Sequence, residues 1–121
     1  TNVCLSKIGD GALESKYQQL VGLEGFSRLE KMLLLAVAPI LRYIKITPRT
    51  ALILSTTKGN ISALAKGNPT PLLSATAQKI ANAIGISATP IVVSNACVSG
   101  VMALSVADSL LKTDSYDSAV V

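Results

Sequence analysis

The stretch Ile91-Val92-Val93-Ser94-Asn95-Ala96-Cys97-Val98-Ser99-Gly100 reads as strand, sharp turn, cysteine and helix start, and the rest of the chain is arranged about it. Val92 and Val93 are β-branched and close a short apolar run. After Cys97 the pattern becomes Val98, Val101, Met102, Ala103, Leu104, Val106 and Ala107, which suits a buried helix. Ala96, Ser99 and Gly100 are small and let the backbone turn tightly at the cysteine. A sulfur at such a corner lies near the first N–H groups of the helix, where the helix dipole favours negative charge. A nucleophile for acyl transfer needs that setting. The competing role for a lone cysteine is that of a small buried hydrophobe. Cys4 has no corner around it and takes that structural role.

Upstream of the corner, Thr70-Pro71 supplies an N-cap and a first-turn proline for a helix whose apolar face is Leu73, Ala77, Ile80, Ala81 and Ile84, with Gly85 ending it. The strand Thr89 to Ser94 follows. Earlier still, Thr50 to Thr57 begins as an apolar run without alternation, the pattern of a buried parallel strand, and Lys58-Gly59-Asn60 breaks it. One glycine after a strand is a weak phosphate signal, and neither GxGxxG nor GxxxxGK[ST] occurs. Ser27-Arg28-Leu29-Glu30 matches a capping box that opens a helix carrying Leu29, Met32, Leu33, Ala36, Val37, Ile40 and Leu41. Pro39 should kink that helix or loosen its last turn. Residues 1–26 form a loop-rich leading segment with one short helix around Leu13 to Leu20, and 27–121 form the α/β core. Downstream, the helix from about Val98 to Lys112 meets its first charge at Asp108, so almost all of it avoids water. Ser118 to Val121 starts another strand. Helix and strand alternate, which predicts a layered α/β fold with a mostly parallel sheet.

The chain has 121 residues, of which 50% are hydrophobic and only 15% charged, against a usual share of about 25% charged. With three Tyr, one Phe and no Trp, so aliphatic a chain must bury its surface against more protein, a second copy or a further part. The longest apolar run, Met32 to Leu41, contains Pro39 and is half the roughly 20 residues of a membrane span, so no membrane association is expected. No signal-peptide pattern opens the chain. Two cysteines so far apart make no disulfide framework, which makes a cytoplasmic, reducing setting the default. Net charge is +4, and no acidic residue lies between Glu30 and Asp108, an interval that holds Lys31, Arg42, Lys45, Arg49, Lys58, Lys66 and Lys79. A phosphorylated ligand or an acidic protein fits that balance, as do ordinary solubilising lysines. Nucleic acid is the weakest of the three partner readings, given the scarcity of stacking aromatics and of any dense basic cluster, and no nucleic-acid partner is expected.

At SNACVSG the sequence resembles the nucleophile corner of the β-ketoacyl-acyl-carrier-protein synthases of the thiolase-like superfamily, whose Ala-Cys-x-Ser-Gly pattern is matched by Ala96, Cys97, Val98, Ser99 and Gly100. LSVADSLLKTDSYDSAVV looks like that family's buried helix and next strand, and TALILSTTKGN falls where the family has a strand and loop. The resemblance covers residues 27–121 and is strongest at the cysteine. It implies a partial thiolase-like layered α-β-α-β-α fold, a homodimer formed beside the strand before the cysteine, and a buried helix after it. It implies that Cys97 accepts an acyl chain from the thioester of an acyl carrier protein or of coenzyme A. The acyl-enzyme then condenses with a malonyl-type donor that loses carbon dioxide, as in fatty acid or polyketide synthesis. The Cys97 backbone N–H would then be one donor of the oxyanion hole.

Two departures qualify the match. The family most often has threonine two residues before the cysteine, where this chain has Asn95, and thiolases carry their asparagine one position further away. The family also relies on downstream histidines for decarboxylation, and this sequence has none, so neither a histidine base nor a His-based metal site can come from it. The expectation is therefore an incomplete amino-terminal thiolase-like domain, 1–121, of an acyltransferase, catalytically incompetent by itself and needing no cofactor or metal. A non-catalytic synthase-like subunit of a heterodimer and a thiolase-type acyltransferase are the alternatives. An α/β-hydrolase elbow needs glycines where Asn95 and Ser99 stand.

Overall fold

A computed structural model of the chain describes residues 9–18, 25–59, 61 and 72–121. The elements are α1 (Asp10–Gln18), α2 (Arg28–Val37), a 3-10 turn (Ile40–Arg42), β1 (Thr50–Ser55), α3 (Leu73–Ile84), β2 (Ile91–Val93), a second 3-10 turn (Ala96–Val98), α4 (Ser99–Leu111) and β3 (Ser118–Val120). The three strands form one parallel sheet in the order β2-β1-β3, with Ser55 opposite Val93 and Thr50 opposite Ser118. β1 is central and covered on both faces, which is why its residues are apolar without alternation.

From β1 the chain crosses to β2 on one side and from β2 back to β3 on the other. Parallel crossovers share one hand, so reversing direction requires the two crossover helices to lie on opposite faces. The packing follows. Leu52 and Val120 join Val37 of α2 with Ile80, Ala81 and Ile86 on one face. Ile53 joins Ala103 and Ala107 of α4 on the other, with Ile91, Val93 and Ala119 alongside. The result is an α/β/α arrangement of mixed α/β class with a small parallel sheet.

Local chemistry sets the boundaries. The Ser27–Glu30 capping box is formed: Ser27 N–H donates to Glu30 Oε2 at 2.7 Å, and Glu30 N–H donates to Ser27 Oγ. Pro39 has no N–H to give, so α2 stops at Val37 and only a 3-10 turn continues it toward Leu41. Gly85 adopts φ +82, and the following Ile86 N–H donates to Ala81 O, the left-handed stop expected for α3. The start of α3 differs from expectation: Leu72 occupies the N-cap position without a side-chain cap, and Thr70 and Pro71 lie outside the described residues. The strands are shorter than read, Thr50–Ser55 and Ile91–Val93, since Thr56 and Ser94 already belong to the loops that carry the site.

α1 is held against α2 by Lys31, which pairs with Glu14 at 2.7 Å and stands 4.8 Å over the Tyr17 ring. Lys79 of α3 bonds Glu30 at 2.9 Å and the Gly25 carbonyl, and lies over Phe26. These contacts give the outer side of the α2–α3 layer a polar seal.

One expectation is corrected. The helix after Cys97 is not buried all round. Ser99, Ala103 and Ala107 face the sheet, whereas Val101 is 71% exposed and Leu104 61% exposed, with Met102 and Leu111 beside them also open. Its small residues form the packed seam, Val106 and Leu110 pack partly buried beside it, and the other large residues point away. No helix among the described residues is long and apolar enough to cross a membrane.

Candidate active site

The loops leaving β1 and β2 run to helices on opposite faces of the sheet, α3 and α4, although the strands are neighbours. Thr56 to Gly59 and Ser94 to Cys97 leave the carboxyl ends of these two paired parallel strands side by side. The two loops are tied, because Thr56 N–H donates to Val93 O at 3.1 Å. Thr56 Oγ1 in turn accepts from Gly59 N–H at 2.9 Å, and Gly59 has φ +70. Lys58 is exposed on this loop and makes no ion pair among the described residues.

Cys97 sits where the sequence predicts, in the 3-10 turn between β2 and α4, as an exposed free thiol. The corner is made by Ala96, whose φ of +42 is left-handed and alone among the described non-glycine residues. Such a conformation costs an alanine roughly 1–2 kcal/mol. Ser99 holds it. The residue is 3% exposed; its Oγ accepts from Asn95 N–H at 2.8 Å and donates to Ala96 O at 2.8 Å. Two net hydrogen bonds of about 1 kcal/mol each match the strain in size. Asn95 is further engaged through Nδ2, which donates to Met102 Sδ one turn along α4.

The N–H of Cys97 itself has no acceptor among the described residues, while Val98 N–H closes the turn on Asn95 O. No side chain caps α4 at Val98. Thiol and free amide therefore sit on the same exposed residue, able to meet opposite ends of a thioester carbonyl dipole.

Gly100 contributes less than its place in the motif implies. It lies inside α4 with nothing within 4 Å of where a Cβ would be, so Ala96 rather than Gly100 makes the turn. Cys4 falls outside the described residues. Sequence reasoning missed the Ser99 brace and the left-handed Ala96. A buried hydroxyl reaching back over one turn has no composition or periodicity signal; the only hint was a serine two residues beyond the cysteine. No group of three or more His, Cys, Asp or Glu side chains among the described residues is placed to hold a metal ion.

A scan against protein-family models found no match to this chain. Neither a search of curated proteins nor one of solved structures returned a significant match.

Proposed function

We propose that the chain carries the nucleophile of a β-ketoacyl-acyl-carrier-protein synthase and that Cys97 takes an acyl group from a pantetheine thioester. The supporting observation is the exposed Cys97 thiol, with its free backbone N–H, at a strained strand-to-helix corner beside the carboxyl ends of two paired parallel strands. In the step, the Cys97 sulfur attacks the thioester carbonyl and forms a new carbon–sulfur bond. The carbon–sulfur bond to pantetheine then breaks, and the pantetheine thiol departs with the proton lost by Cys97. The Cys97 N–H donates to the carbonyl oxygen as negative charge gathers there. Decarboxylative condensation in fatty acid or polyketide synthesis is the second half of the reaction, and these 121 residues supply no histidine for it. Exposed Lys58 suits a phosphate on the thioester carrier, and the basic balance suits an acidic carrier protein.

The thiolase-like layered fold, the homodimer and the cytoplasmic setting belong to the same proposal. Two observations support pairing with more protein: β2 has only β1 as a strand neighbour among the described residues, and the outer face of α4 is apolar and open.

Thiol labelling with a chloroacetyl-pantetheine reagent near neutral pH, read by peptide mapping, tests the reading. Cys97 should be modified much faster than Cys4. Slow modification of both is the result for a non-catalytic subunit and overturns the assignment.

A further inference from the structure

We propose that Ser99 is the positioning residue of this corner: its hydroxyl holds Ala96 in the left-handed conformation and thereby fixes the direction of the Cys97 sulfur. The catalytic meaning of that direction rests on the acyl-transfer reading above; the bracing itself does not.

Ala96 pays for φ +42 with its Cβ, and no glycine stands there to remove the conflict. Release of the strain would rotate the peptide that joins Ala96 to Cys97 and swing the thiol with it. Three bonds oppose that rotation. Ala96 O accepts from both the N–H and the Oγ of Ser99, and Asn95 N–H donates to the same Oγ. The hydroxyl thus spans the strained residue, gripping the backbone on either side of it. Water cannot take its place readily, because Ser99 is buried. The other side chain engaged at the corner, Asn95, is exposed and bonds a flexible methionine, so it cannot define the turn.

A serine at this position would otherwise be an ordinary first residue of a helix. Ser99 Oγ instead turns back toward the strand, and its partners are the two residues immediately before the nucleophile. Removing the hydroxyl leaves Asn95 N–H without that acceptor and Ala96 free to relax. The thiol stays present and exposed but no longer has one direction. The consequence is selective. A small reagent that approaches from any side should be little affected, whereas a thioester that must meet both the sulfur and the Cys97 N–H should suffer.

The test compares the full-length protein with Ser99→Ala and Ser99→Thr, using iodoacetamide as the undirected probe and an acyl-pantetheine thioester as the directed one. For Ser99→Ala, acyl transfer to Cys97 should fall at least tenfold while iodoacetamide alkylation changes less than twofold across the pH range. Ser99→Thr keeps the hydroxyl and should restore the transfer. The HN–Hα coupling of Ala96 should leave its left-handed value, and Asn95 amide exchange should quicken, in Ser99→Ala alone. Unchanged transfer, or a parallel loss with both reagents, overturns the positioning role. Should Ser99→Ala fail to fold, the threonine variant decides: transfer near wild type supports the role, and a tenfold loss contradicts it. If even the wild type is not acylated, the function fails, and the Ala96 coupling alone judges the brace: lost in Ser99→Ala it stands, retained it falls.

Discussion

The two faces of the sheet are built differently. On the α2–α3 face, large aliphatic residues meet across the interface, Val37 and Ile80 against Leu52 and Val120, and the outside of the layer is sealed by Lys79–Glu30, Lys31–Glu14 and aromatic rings under both lysines. On the α4 face, the helix presents Ala103 and Ala107 to Ile53, with Val106 and Leu110 partly buried beside them, and turns Val101, Met102, Leu104 and Leu111 outward. A helix that packs chiefly through small residues lies close to the sheet and leaves several larger side chains in solvent. One face is sealed on its outer side by ion pairs and ring contacts; the other leaves apolar side chains exposed. The candidate nucleophile lies at the start of the helix whose outer side is apolar and exposed.

The largest expected effect tests whether the small-residue seam is a true core. Ile53 is 1% exposed between β1 and α4, and Ile53→Ala should cost about 3–4 kcal/mol in denaturant unfolding. A loss under about 1 kcal/mol would mean that α4 rests loosely on the sheet. The outward side of the same helix gives the contrast. Leu104→Ser should leave the folding free energy within about 0.5 kcal/mol of wild type, and should weaken any self-association measured by sedimentation. If it destabilised the fold as much as Ile53→Ala, that face would already be packed and the two-face comparison would fail.

The smallest effect sharpens the other side. Burial raises the Tyr17 phenol above its ordinary value of 10.0; nearby Lys31 lowers it, and Glu14 and Glu30 add to the rise. Because the folded value is the higher one, the protonated phenol favours the fold. That contribution is complete below about pH 10 and is lost as pH climbs through the folded value. Urea unfolding should therefore weaken above pH 10 in the wild type and weaken less in Tyr17→Phe. Equal alkaline losses in both would show that Tyr17 is not sealed under α2.

These contrasts explain what the sequence could reveal. Periodicity located α2, α3 and α4 to within a few residues because each carries a seam at helical spacing, and the capping box at Ser27 and the stop at Gly85 are local chemistry. The unbroken apolar run at Thr50 marked β1 as a buried parallel strand, and its central place came from the strand order. Composition showed that α4 is apolar all round, but not which side the chain itself covers, since that depends on Ala103 and Ala107 facing Ile53 across the sheet. The corner at Cys97 was legible as strand, turn and helix. Its left-handed alanine and the Ser99 hydroxyl beneath it were not, because both arise from backbone geometry that any small residue can disguise.

The most direct measurement is mass spectrometry of the intact protein after incubation with an acyl-pantetheine thioester, for wild type and Cys97→Ala side by side. The wild type should gain one acyl group, mapped to the peptide containing Cys97, and Cys97→Ala should gain none while unfolding within about 1 kcal/mol of wild type, as a surface substitution should. Acylation of Cys97→Ala at the wild-type level, or an adduct on any other residue, would contradict the account.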